Sequence, residues 1–355
     1  MIPARIDSLR PIIEEAGLEA LLVTKPENRF YMSGFSGTSG LLVLSRSETL
    51  LFTDFRYLEQ AEKEAPQYEV IRYKENLFDE VAGFLGKKGW LKIGFEGHDL
   101  AWQNYDRLQS KLKKKLTVLN EGVEKLRRVK SDDELGIIRR GAEKLDLAFK
   151  WLQETIRPGM VERDLAVELE IYLLRQGAVR PSFNFIVASG ERGALPHGVA
   201  SGKAMQRGEL VTVDYGAVFE NYATDITRNF MLGIPDDRHK EIYEIVAHAQ
   251  SVAVDAVKPG LKGQEIDQVA RDIIKEAGYG EYFGHGLGHG IGLETHEQPA
   301  LTPKNEIILE PGMVITIEPG IYLPDWGGVR IEDMVLVTDR GAERLTRSSR
   351  ELVII

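Results

Sequence analysis

The chain has 355 residues, 43% of them hydrophobic and 28% charged, with a formal net charge of −10, the proportions of a globular protein with a large core and, by length, two domains. The acidic balance argues against nucleic acid as a partner, which wants a basic footprint, and no apolar run reaches the length of about 18 residues that a membrane span needs. Cysteine is absent, which excludes disulfides, thiolate metal sites and a cysteine nucleophile.

The first segment, MIPARIDSLRPIIEEAG, is charged and amphipathic and lacks the apolar stretch of a signal peptide, so a cytoplasmic location is expected. Up to about residue 128, short apolar runs (LEALLV, GLLVL, TLLFTD, YEVIRY, LKIGFE) alternate with helical spacing, which predicts an α/β domain with a mixed sheet. Asp54 is expected to cap the helix in DFRYLEQAEKEA. Lys111, Lys113, Lys114 and Lys115 are read as a solvated face closing a surface helix, favoured by the helix dipole, rather than as a phosphate site.

A second domain, 129–355, opens on Ser131-Asp132-Asp133-Glu134, a capping box that predicts a long helix through Glu154. Leu135, Ile138, Ala142, Leu145, Phe149 and Leu152 fall on one face of it. An internal repeat follows. Pro158-Gly159 and Pro259-Gly260 each start a turn, a polar spacer and an amphipathic helix ending at glycine (Gly177, Gly278). Two related α+β halves are therefore expected to face each other across a cleft.

Each half carries a pair of acids. Asp214 and Asp225 lie symmetrically about residues 219 and 220 in VTVDYGAVFENYATDITRNF, so they are expected to face each other across a hairpin, with Thr212 and Thr227 opposed on the same face. Glu318 and Glu332 lie symmetrically about Asp325, inside the turn Pro324–Gly328. Opposed side chains sit roughly 4.5–5.5 Å apart, and carboxylates held that close raise each other's pKa unless a cation lies between them. Two such pairs make an oxygen-rich nest suited to divalent metal, and His289 in GHGLGHGIG supplies a nitrogen ligand. Arg330 shares a strand face with Glu332, and Thr227 lies two along from Asp225. Both are placed to brace the ligand carboxylates, although an ordinary cross-strand contact explains each almost as well. His285, four before His289, is assigned the same outer shell.

In the settings VDYG, TDITR, GHGIG, IEPG and RIED, the residues Asp214, Asp225, His289, Glu318 and Glu332 resemble the pita-bread metallopeptidases, in particular the proline-specific branch of prolidase and aminopeptidase P. The resemblance is detailed from about residue 130 onward. More loosely, residues 1–128 resemble the creatinase-type domain of those enzymes. It implies that Asp214 holds one metal, that His289 and Glu318 hold the other, and that Asp225 and Glu332 bridge both. The ions would be manganese or cobalt, with zinc a further option. The resemblance also implies His197 (ALPHGVASG) and His296 (LETHEQPAL) as partners of the tetrahedral oxyanion, and a homodimer.

Glu318 is the expected proton shuttle. The expected activity is hydrolysis of an Xaa-Pro bond at a peptide N-terminus, by a dipeptidase in preference to an aminopeptidase P. A non-catalytic peptide-binding scaffold and a metal-free amidinohydrolase of the creatine type are the other classes, and the intact ligand set speaks against both.

Overall fold

The computed structural model describes residues 1–112 and 114–355, which form two compact units, Met1–Arg127 and Arg128–Ile355. In the first unit the order is α1 (Ile2–Glu15), β1 (Ala20–Val23), α2 (Pro26–Ser33), β2 (Leu41–Ser45), β3 (Thr49–Thr53), α3 (Leu58–Glu64), β4 (Glu69–Arg72), α4 (Leu77–Lys87), β5 (Ile93–Phe95), α5 (Trp102–Leu112) and β6 (Leu116–Val118), before α6 (Gly122–Arg128). The strands make one six-stranded mixed sheet in the order β4-β3-β2-β1-β5-β6. Apolar side chains such as Leu22, Val43, Phe52 and Ile93 join Val81, Leu85 and Leu108 of α4 and α5 in its core. The apolar runs thus form the mixed sheet their pattern predicts.

Two local readings need correction. Asp54 does not cap α3, which starts only at Leu58. Its carboxylate is taken instead by Arg56, through the backbone N–H at 3.0 Å and the guanidinium at 2.7 and 2.9 Å. Nor do the lysines form one solvated helical face. Lys111 is in α5, Lys113 lies outside the described residues, and the Lys114 ammonium turns inward to donate to the carbonyls of Leu85 and Lys88 at the end of α4. The Leu85 carbonyl also accepts from the Lys88 N–H at 3.1 Å, and the ammonium adds a favourable charge at the carbonyl end of the helix. At the other end of α4 the Asn76 side chain accepts from Phe78 and Asp79 N–H, and Asn76→Ala is expected to cost about 1 kcal/mol, read from a thermal or urea melt.

The second unit is built from α7 (Asp132–Thr155), α8 (Glu162–Arg175), β7 (Arg180–Pro181), β8 (Ile186–Ser189), β9 (Leu210–Tyr215), β10 (Ala217–Phe219), β11 (Tyr222–Ala223), β12 (Ile226–Met231), α9 (Asp237–Ala256), α10 (Gly263–Glu276), β13 (Gly288–Gly290), β14 (Glu297–Leu301), β15 (Val314–Ile317), β16 (Gly320–Leu323), β17 (Gly327–Arg330), β18 (Asp333–Thr338), β19 (Gly341–Arg344) and β20 (Val353–Ile354). The capping box forms at the start of α7. Gly159 and Gly260 both take φ +91°, and Gly177 and Gly278 take φ +97° and +90°. The repeat therefore has matching left-handed turns before and after α8 and α10, a conformation glycine adopts without penalty.

The halves mirror each other. β20-β12-β9-β8 forms one sheet and β14-β13-β15-β18-β19 another, and each carries a small hairpin, β10–β11 and β16–β17 respectively. Leu145, Phe149, Leu165 and Leu169 of α7 and α8 pack on Val211, Val213 and Phe230. Ile242, Val246, Ile266 and Ala270 of α9 and α10 pack on Ile315, Ile317, Val335 and Val337. Each of the larger side chains among these contributes about 1.5–3 kcal/mol by leaving water.

The registers differ from expectation in one half only. Asp214 is paired with Thr227, not with Asp225, and Thr212 with Asn229. The turn is centred on Glu220-Asn221, whose φ values of +48° and +72° close Phe219 onto Tyr222. Two successive left-handed residues make the tight hairpin turn whose twist matches the strands, and centring it one residue later slides every partner. The second hairpin pairs Gly320 with Arg330 and Ile317 with Asp333, symmetric about Asp325 as expected.

Candidate active site

Four of the five expected metal residues come from places where strands begin, end or change partners. Asp225 immediately precedes β12, Glu318 immediately follows β15, and Glu332 lies between β17 and β18. Asp214 is in β9, two residues before Gly216, where a Cβ would meet the Thr224 carbonyl oxygen at 1.9 Å. Only glycine allows that close crossing. His289 is the middle residue of β13.

All five line one cavity of about 470 Å³, together with His197, His285, His296, Arg330, Phe183 and Ile186. Asp225, His289 and Glu332 offer atoms within 4.8 Å of one another. His289 Nε2 lies 3.3 Å from Glu318 Oε1 and 3.7 Å from Asp225 Oδ2, and the rings of His289 and His296 are 4.3 Å apart. Thr227 stands behind the acids: its hydroxyl donates to Glu332 Oε2 at 2.7 Å and accepts from Arg330 Nε at 3.1 Å.

One oxygen of each of three carboxylates is left over. Asp214 Oδ1, Asp225 Oδ1 and Glu332 Oε1 are buried and have no hydrogen-bond partner among the described residues. Their sister atoms on Asp214 and Glu332 are held, Asp214 Oδ2 by Arg330 at 2.6 Å and Glu332 Oε2 by Thr227. A buried acceptor without a donor costs about 1–3 kcal/mol, and three of them in one cavity could be satisfied by a cation.

The electrostatics agree. Burial, then repulsion from Glu332 and Asp214, raises Asp225 well above the usual carboxylate range. Burial, then Glu318 and Asp214, does the same to Glu332. Burial pushes Glu318 up to about 8. Conversely, burial and the neighbouring His296 lower His289 to about 3, and burial and Arg330 lower His285 to about 4. His296 is lowered by burial as well. Neutral imidazoles are what a ligand and a hydrogen-bond donor require. Carboxylates that repel one another keep their charge beside a divalent ion, and a set dominated by carboxylate with one imidazole fits hard or borderline metals.

Arg330 reaches Asp214, Thr227, the Pro196 carbonyl at 3.2 Å and Tyr322 Oη at 2.8 Å. The Tyr322 hydroxyl in turn meets His285 Nε2 at 2.8 Å, so His285 is joined to Asp214 through two side chains. Sequence reasoning missed Tyr322. It also missed Thr316, whose hydroxyl accepts from His289 N at 3.0 Å and lies 3.2 Å from Glu318 Oε1. The signal for Thr316 was present, since the period of two that singled out Thr227 beside Asp225 also places Thr316 beside Glu318. No pattern flagged Tyr322, eight residues from Arg330.

Residues 136–339 match Metallopeptidase family M24, and residues 5–129 match the Creatinase/Prolidase N-terminal domain. The chain is 43% identical to the uncharacterized peptidase YqhT of Bacillus subtilis (strain 168) over 352 residues, 99% of this chain and 100% of that one. It is 42% identical to the Xaa-Pro dipeptidase of Pyrococcus furiosus over 351 residues, 98% and 99% of the two chains. The solved structure of the Xaa-Pro dipeptidase from Bacillus anthracis superposes with a TM-score of 0.98 at 45% identity, covering 100% of both chains. The likeness runs the length of both structural units: the chain belongs to metallopeptidase family M24.

Proposed function

We propose that the protein is a two-metal Xaa-Pro dipeptidase, hydrolysing the bond that precedes proline. One observation carries the reading: three buried carboxylate oxygens, on Asp214, Asp225 and Glu332, converge on one cavity without a protein donor. The Xaa-Pro dipeptidases among its relatives support the substrate class. Asp214 would hold one ion and His289 with Glu318 the other, with Asp225 and Glu332 shared. Manganese or cobalt is the first choice and zinc the next. When bound, such a pair polarises the scissile carbonyl and lowers the pKa of the attacking water.

The bond before proline is a tertiary amide, so its nitrogen leaves only once protonated. Glu318, at the cavity wall, accepts the proton of the attacking water and returns it to that nitrogen. His197 and His296 donate N–H bonds to the carbonyl oxygen as it becomes negative. Behind them, Thr227, Arg330 and His285 keep the acids in place through the Tyr322 hydroxyl and the Asp214 and Glu332 carboxylates. Residues 129–355 act as the catalytic domain and residues 1–128 as its creatinase-like companion, in a cytoplasmic homodimer. Among the described residues no helix is long and apolar enough to cross a membrane.

Aminopeptidase P activity on longer peptides is the alternative reading. Dialysis against chelator should remove activity and manganese should restore it. The restored enzyme should then favour an Xaa-Pro dipeptide over the corresponding tripeptide in kcat/KM. The opposite preference would select the aminopeptidase, and activity indifferent to chelator would dispose of both.

A further inference from the structure

Glu162 is fully buried, at the first position of α8, and is not among the residues lining the cavity. Its Oε1 accepts from the backbone N–H and the hydroxyl of Ser189, at 2.9 and 2.8 Å. Its Oε2 accepts from the N–H and hydroxyl of Ser201, at 3.1 and 2.6 Å, and from the Arg192 guanidinium. Ser189 and Ser201 are the two ends of the segment that carries His197. One carboxylate therefore staples the base of that loop, while Arg192 reaches on to the Val199 carbonyl at 2.8 Å.

The loop is also fixed from the far side. Arg330 donates to the Pro196 carbonyl. A Cβ on Gly328 would meet the Gly193 carbonyl oxygen at 2.1 Å, so the loop and β17 interlock at glycines.

The other half holds the same device. Asp267, 105 positions after Glu162, is fully buried near the start of α10. Its Oδ1 accepts from Leu287 N–H at 3.0 Å. Arg271, bound to Asp267 through two bonds of 2.9 Å, donates to the carbonyls of Phe283 and His285 at 2.9 and 2.8 Å. That segment runs directly into β13 and His289. In each half a buried carboxylate on the repeat helix, aided by one arginine, fixes the stretch that presents a histidine to the cavity. A buried carboxylate with all its acceptors filled and no face to the substrate is an expensive way merely to stabilise a fold. The repeat offset of 101 puts Gly263 opposite Glu162, so Asp267 lies one turn further into its helix, and what the two carboxylates share is the kind of stretch each one holds.

We propose that Glu162 and Asp267 are paired positioning residues, Glu162 setting His197 and Asp267 setting the His285–His289 stretch. The proposal rests on the reading of His197 as an oxyanion donor and His289 as a metal ligand. Small displacements of a catalytic group are costly, up to about 100-fold for about 1 Å.

The test is a double-mutant cycle on the manganese-loaded enzyme with an Xaa-Pro dipeptide. Glu162→Gln should lower kcat about tenfold and leave the manganese dissociation constant, measured by calorimetry, within about twofold. In a His197→Ala background the same change should cost less than about twofold, because the group it positions is gone. Retention of the full cost in that background, or no cost in the wild type, would overturn the proposal. If His197→Ala itself leaves kcat intact, the catalytic reading of His197 fails and this inference with it. Asp267→Asn should weaken manganese binding about tenfold, and unchanged affinity overturns the second half of the pair. Should Glu162→Gln not fold, Ser201→Ala removes a single hydroxyl bond to the same carboxylate, and its smaller loss of kcat must likewise vanish in the His197→Ala background.

Discussion

Asp225→Asn is expected to abolish peptide hydrolysis while making the metal-free protein more stable. Asp225 is buried among Glu332, Asp214 and Glu318, and both burial and those neighbours oppose its charge. Asparagine removes the cost of holding a proton, or a charge, at that position at neutral pH, so apo stability should rise by about 1–2 kcal/mol. For a protein of this size that is a melting shift of about 1–2 °C per kcal/mol. Activity should move the other way. Metal chemistry supplies several kcal/mol, so kcat/KM should fall by at least about 10³-fold. Added manganese should reverse the stability order, because only the wild type gains binding free energy. Melting curves of both proteins with chelator and with manganese provide the check; a less stable apo variant would contradict the account of a site strained by its own charges.

The largest loss of stability is expected from Arg228→Met. Arg228 and Asp333 are 1% and 0% exposed and form an ion pair of 2.6 Å. From one guanidinium, bonds also run to the carbonyls of Thr227, Glu332, Ser348 and Ser349. The other Asp333 contacts are the Thr346 hydroxyl and the Gln250 amide, both at 2.9 Å, with Arg344 and Arg350 at 3.6 Å. Breaking such a pair from one side leaves a buried carboxylate short of its partner, at about 3–5 kcal/mol. The Arg228→Met/Asp333→Leu double variant should therefore be more stable than Arg228→Met alone. If the double variant is the worse of the two, the cost lies in the carbonyl bonds rather than in the orphaned charge. Because Arg228 also grips the carbonyls of Thr227 and Glu332, the single variant should bind manganese more weakly.

The acids and histidines around the cavity were legible in the sequence because chemistry restricts which residue types can serve there and the repeat gives two copies to compare. Registers were legible only where the turn was. Pro324-Asp325-Trp326-Gly327-Gly328 fixes its own centre through residues that must turn. Glu220-Asn221 is a polar centre between apolar arms, but two left-handed residues without a glycine leave its exact centre open by one residue, enough to slide the register. Arg228 and Asp333 escaped notice for another reason. Each directly follows a residue of the site, so the strand period turns it toward the helices, where a charged residue has no motif to announce it. Asp54 and Lys114 depart from the local rules because a partner, Arg56 in one case and the end of α4 in the other, takes the side chain away.

The parallel pairing of β20 with β12, Phe230 beside Val353, has a consequence for biogenesis. A nascent chain leaving the ribosome exposes β12 and the first acid pair more than a hundred codons before its final sheet neighbour and the carbonyls that Arg228 grips exist. Ion capture must then be a late event in synthesis, and until it happens the half-built sheet offers an open edge that a chaperone has reason to shield.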